Sequence, residues 1–104
     1  MDKKQVLNII SNFKEALLKH GLSVDNIILY GSYFDGSYHE GSDIDLVVIS
    51  KDFRGKGFLE RIDMMLDALC EIFKPIEAYP MTPEEFEKGE SMIALFAKEG
   101  EEVK

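Results

Sequence analysis

Ile27-Ile28-Leu29-Tyr30-Gly31-Ser32-Tyr33-Phe34-Asp35-Gly36, then five residues, then Ser42-Asp43-Ile44-Asp45-Leu46-Val47-Val48-Ile49, is the stretch on which the fold of this chain turns. Both ends are rich in strand formers, and both read as central strands. Gly31, directly after the first, permits a tight backbone turn. Ser32 then either caps a short helix or offers its hydroxyl to a phosphate oxygen, and the free N–H groups of a helix start attract anions. Gly36 and Gly41 allow further bends before the second strand.

Outward from this centre, the periodicity is helical. Val6, Ile10, Phe13 and Leu17 recur on one face, Asp2 and Gln5 resemble a capping pair, and Gly21 supplies a stop. Leu59, Ile62, Leu66, Leu69 and Phe73 recur at three- and four-residue spacing, which predicts a second core helix ending before Pro75. Ile76-Glu77-Ala78-Tyr79 fits another short strand. Thr82-Pro83-Glu84-Glu85 combines a capping box with proline at the first helical position, and a third helical region continues or restarts after Gly89. Gly100 is expected to release a charged tail. The fold class expected is α+β, a short mixed sheet covered by helices.

At 104 residues and 45% hydrophobic content, the chain suits a single domain over residues 1–104. No apolar run approaches the roughly 20 residues that span a bilayer, and the first residues lack the apolar segment of a signal peptide. A soluble, cytoplasmic protein is expected. The net charge of −8 would repel a nucleic-acid backbone, so a polynucleotide substrate is not expected. Cys70, the single cysteine, excludes an internal disulfide and is expected to be a packed, inert thiol. His20 and His39 suggest no zinc site.

Alternation along a strand puts Asp43 and Asp45 on one side, where they can share one ion. Paired carboxylates repel unless one is protonated or a cation lies between them, and an oxygen-only site of this kind suits magnesium. A triphosphate at Gly31 and Ser32 would then lie across metal ions held by Asp43 and Asp45.

With Gly-Ser, three residues, Gly, five residues and Ser-Asp-x-Asp-Leu, the chain resembles the minimal nucleotidyltransferases of the DNA polymerase β superfamily. The resemblance covers nearly the whole chain. It implies a polymerase-β-like nucleotidyltransferase fold, with Gly31, Ser32, Gly36 and Ser42 as nucleotide-binding residues and Asp43 and Asp45 as metal ligands. It also implies a third carboxylate on the strand after the second core helix, the place of Glu77, where the family usually has Asp. The implied reaction is transfer of a nucleoside monophosphate, AMP from ATP, to a hydroxyl, with two magnesium ions held by Asp43, Asp45 and Glu77 as the catalytic carboxylates. The implied partner is a small helical toxin of the HEPN type whose tyrosine accepts the AMP, in a homo- or hetero-oligomer.

Two departures keep a second reading open. The family commonly carries arginines where this chain has Tyr33 and Asp35. Lys51, Arg54 or Lys56 either replace those charges or form a solvated basic loop. Tyr33 and Tyr38 either stack on a base or pack against the short helix. Exposed Met64, Met81 or Met92 could furnish a contact surface, against core packing of each. The alternative is a weak or inactive antitoxin, a binding module that neutralises its partner by complex formation.

Overall fold

The computed structural model describes residues 1–103. Along the chain run α1 (Lys3–Lys19), β1 (Asn26–Tyr30), α2 (Ser32–Asp35), β2 (Ile44–Ile49) and a short 3-10 turn (Lys51–Phe53). Then follow α3 (Phe58–Ile72), β3 (Ile76–Met81), α4 (Pro83–Lys88), α5 (Met92–Lys98) and β4 (Glu101–Glu102). The strands form one mixed sheet in the order β3-β2-β1-β4, in which β1 is antiparallel to β2 and β4 while β2 is parallel to β3. A parallel pair needs a long crossover, and α3 supplies it. The mixed α+β class agrees with the sequence reading.

Alternation divides the strand residues between two layers. Ile44, Leu46 and Val48 pack with Val6, Ile10, Phe13 and Leu17 of α1 and Met65 and Ala68 of α3. Val47 and Ile49 face the other way and pack with Ile28, Met81, Ala94 and Ala97. Asp45 shares the parity of Val47, so it lies on the α5 side of the sheet, at the start of β2.

Local chemistry explains the helix ends. Asp2 and Gln5 exchange backbone and side-chain hydrogen bonds at the start of α1, as do Thr82 and Glu85 at the start of α4. Gly89, left-handed at φ 63°, ends α4, and Ser91 caps the separate α5. Thr82 is buried, and its hydroxyl accepts the Glu85 N–H at 3.1 Å. Thr82→Ala should therefore cost about 1 kcal/mol, read as a Tm lower by roughly 5 °C in thermal melting. An unchanged Tm would show that the cap contributes nothing.

Three expectations change. Leu59, Leu66 and Phe73 do not enter the core, whose α3 contribution is centred on Met65 and Ala68. The three-and-four spacing marked a face, and only packing decides which face is covered. Cys70 lies on the exposed side of α3 rather than in a packed site. The charged tail is not released: Glu101 and Glu102 pair with Leu29 and Ile28, and Glu101 accepts from Lys3 Nζ at 2.9 Å. Gly100 makes this possible, since a Cβ there would overlap the Leu29 carbonyl oxygen. Of the three methionines, Met81 is buried, Met64 half-buried and Met92 exposed. Among the described residues no helix is long and apolar enough to cross a membrane.

Candidate active site

Strand register builds this site. Asp45 of β2 lies opposite Tyr30 of β1 on one side and opposite Glu77 of β3 on the other. Three side chains from three strands therefore meet on the α5 face, with Glu77 on the edge strand. The carboxyls of Asp45 and Glu77 come within hydrogen-bond reach of one another. Burial, the Glu77 contact and the charges of Glu77 and Asp43 push Asp45 up to about 6. The Tyr30 hydroxyl is pushed up to about 12 by burial, then by Asp45, Glu77 and Tyr79. Both shifts report burial first and, after it, negative charge crowded on one face.

Gly31 secures the geometry from below. Its φ of 76° and ψ of −152° belong to a region that side chains avoid, and a Cβ there would overlap Asp45 Oδ2. The glycine is thus required twice, for the turn out of β1 and for the close approach of the carboxylate. Gly31 is also the N-cap of α2, so Ser32 is its first helical residue and makes no cap. Gly36 closes α2 in the left-handed conformation at φ 87°, its N–H bonded to the Ser32 carbonyl at 3.0 Å. Ser42 Oγ accepts the His39 N–H at 2.9 Å and shapes the loop into β2.

Asp43 is exposed at the entrance to β2 and reaches Asp45 through its charge. Among the described residues no three carboxylate, histidine or cysteine groups are gathered as a ready-made metal cluster. The oxygen-only donors and the mutual repulsion of Asp45 and Glu77 nevertheless suit a hard divalent cation such as magnesium.

The sequence reading passed over Tyr30 and Tyr79 as site residues. Both border a hollow of about 210 Å³ with Glu77, Ala78 and Ile93. Parity was the available signal, since Tyr79 follows Glu77 by two residues on the same face. The basic loop, by contrast, is remote: Lys51 lies six positions after Asp45, about 20 Å of extended chain. Arg54 there makes a bidentate pair with Glu84, at 2.8 and 2.6 Å. This loop cannot replace the two charges absent at Tyr33 and Asp35. Tyr33, a residue of α2, is buried in the core and stacks on Tyr38 with ring centroids 4.6 Å apart, so packing is its role here.

Residues 10–99 match the family described as nucleotidyltransferase domain. The chain belongs to this nucleotidyltransferase family. The chain is 38% identical over 72 residues to a protein of Methanocaldococcus jannaschii named "putative protein adenylyltransferase", covering 68% of this chain and 48% of that protein. The chain spans about half the length of the curated relatives it matches. In fold it is similar to a solved "putative nucleotidyltransferase" from Sulfolobus solfataricus, with a TM-score of 0.70 and 17% identity over 83% of this chain and 75% of that one. It is also similar to a chain of a structure described as a toxin-antitoxin with AMP-PNP, with a TM-score of 0.61 and 19% identity over 94% of this chain and 72% of that one. At those identities the two structures show the shared fold.

Proposed function

We propose that this nucleotidyltransferase transfers AMP from ATP to a tyrosine hydroxyl of a HEPN-type toxin partner in the cytoplasm, as a single catalytic domain. The observation that carries the reading is the register that sets Asp45 beside Glu77 over Gly31. The relative named an adenylyltransferase supports AMP as the group moved, and the toxin-antitoxin structure with AMP-PNP supports an adenine nucleotide and a protein partner.

In this reading Asp43, Asp45 and Glu77 hold two magnesium ions, which when bound neutralise triphosphate charge. The turn at Gly31 and Ser32 positions the phosphates, with Gly36 and Ser42 holding the loop that frames them. The acceptor enters over the edge strand, where the hollow beside Glu77 and Tyr79 has room for a side chain. Asp45 or Glu77 takes the hydroxyl proton, the oxygen bonds to the α-phosphorus, and the bond to pyrophosphate breaks. Catalysis is positioning plus charge stabilisation.

A second reading, an inactive antitoxin that neutralises its partner by binding, is favoured by the lack of positive charge at Tyr33 and Asp35. Incubation with magnesium, labelled ATP and the product of the adjacent gene separates the two. A mass gain of one AMP on the partner is expected. A stable complex with neither modification nor pyrophosphate release would overturn the enzyme in favour of the binder.

A further inference from the structure

The outward face of α3 has the pattern of a helix-pairing seam. Leu59, Ile62, Leu66 and Leu69 of α3, and Phe73 at its left-handed C-cap, follow one another at three- and four-residue intervals, the spacing at which one helix meets another. Ile62 and Leu69 lean onto the core, whereas Leu59 is 80% exposed, Leu66 46% and Phe73 86%. Three exposed apolar side chains therefore lie on one line along the helix and at its end, a grouping rather than a scatter. The seam faces away from α1, because Glu71 on the far flank is the residue tied to Lys19 and His20 of α1. The helix packs beside β3, one of the two edges of the sheet.

Charge identifies the occupant. The charged residues of α3 are Glu60, Arg61, Asp63, Asp67 and Glu71. Arg61 is engaged by Glu85 and the Lys56 carbonyl, and Glu71 by Lys19 and His20. Glu60, Asp63 and Asp67 remain, all exposed and, among the described residues, none in an ion pair. The unpaired charges along the helix are thus acidic, with Lys74 the one cation just past its end, and such a rim selects a partner helix bearing lysine or arginine beside its apolar stripe. A second copy would bring the same acidic rim, on a molecule of net charge −8, against itself. An anionic lipid surface is disfavoured for the same reason.

We propose that α3 docks a cationic amphipathic helix of a different protein, with Leu59, Leu66 and Phe73 as the anchors. Phe73 lies four residues before Glu77, so a helix seated there would bring its own chain to the sheet edge that carries the candidate site.

Two labelled synthetic peptides test the proposal, each with leucines at three- and four-residue spacing, one flanked by lysines and the other by glutamates. Fluorescence anisotropy with the full chain, at low ionic strength and without nucleotide or metal, should show the lysine peptide binding at least about tenfold tighter than the glutamate peptide. The double variant Leu66→Ser, Phe73→Ser, altered only at exposed positions, should keep its thermal transition and lose at least about tenfold in affinity for the lysine peptide. Equal binding of the two peptides, binding of neither, or unchanged binding by the variant would overturn the proposal. So would a dimer of the chain in light scattering that the double variant abolishes, which would assign the seam to a second copy. None of these readouts involves transfer of AMP, so the docking surface and the proposed reaction stand or fall separately.

Discussion

Asn in place of Asp45 is expected to remove nucleotidyl transfer and, at the same time, to make the metal-free protein more stable. The loss of activity should reach about a thousandfold or more, since the carboxylate holds the cation and faces the reacting phosphate in the proposed reaction. The gain in stability follows from linkage. The Asp45 carboxyl, ordinarily near 3.8, is pushed up to about 6 in the fold, so the native state holds this proton more tightly than the unfolded chain. Stability from this group is therefore greatest below pH 4 and falls as pH rises through 6. Asn carries no charge and escapes that fall. Asp45 is partly exposed and solvent screens the repulsion, which brings the expected gain at pH 7 down to about 1 kcal/mol. The corresponding Tm increase is roughly 5 °C. Thermal melting of both proteins in chelator, at pH 4 and at pH 7.5, checks the sign: the variant should lead at pH 7.5 and the difference should close at pH 4. A variant equal to or less stable than the wild type at pH 7.5 would mean that neither burial nor the neighbouring carboxylates penalise the ionised Asp45 in the fold. Retained pyrophosphate release by Asp43→Asn, Asp45→Asn would sink the catalytic assignment.

Gly31→Ala should damage the protein through two separate terms. At φ 76° and ψ −152° any side chain is strained, and the new methyl would also overlap Asp45 Oδ2 and lie 3.1 Å from its Cγ. The combined cost is about 3 kcal/mol, a Tm lower by roughly 15 °C. Gly21→Ala is the control, because Gly21 also has a positive φ, 91°, but open space where the methyl would go. It should cost only about 1 kcal/mol. The contact with Asp45 can then be isolated by a double-mutant cycle: Asp45→Ala should recover part of what Gly31→Ala loses. If the two substitutions add without coupling, Gly31 serves the turn alone and does not seat the carboxylate.

Much of the fold was legible because its signals are local. The Asp2 and Gln5 pair, the Thr82-Pro83 start and the glycine ends each depend on hydrogen bonds spanning a few residues, and each lies where the sequence puts it. The α3 face was misread because spacing states which residues share a side, while coverage depends on what else is there to cover it. Met65 and Ala68 meet the sheet, and Leu59, Leu66 and Phe73 do not. The tail was misread for a similar reason, since two glutamates carry no strand signal of their own and pair only because β1 presents a free edge beside them.

The same division holds at the candidate site. Sequence alone determined that a glycine and a serine precede the Asp-x-Asp stretch at a turn, because that relation follows from turn chemistry, whereas Asp43 lies in the loop just before β2 and only Asp45 is a strand residue. Only the tertiary structure decided that Glu77 lies opposite Asp45, that Tyr30 and Tyr79 line the space beside Glu77, and that the Asp45 carboxylate approaches Gly31 where a Cβ would stand. Strand register is the physical reason. It joins residues far apart in the chain through backbone hydrogen bonds that no short segment specifies, and a slip of one residue would turn Glu77 to the opposite face of the sheet.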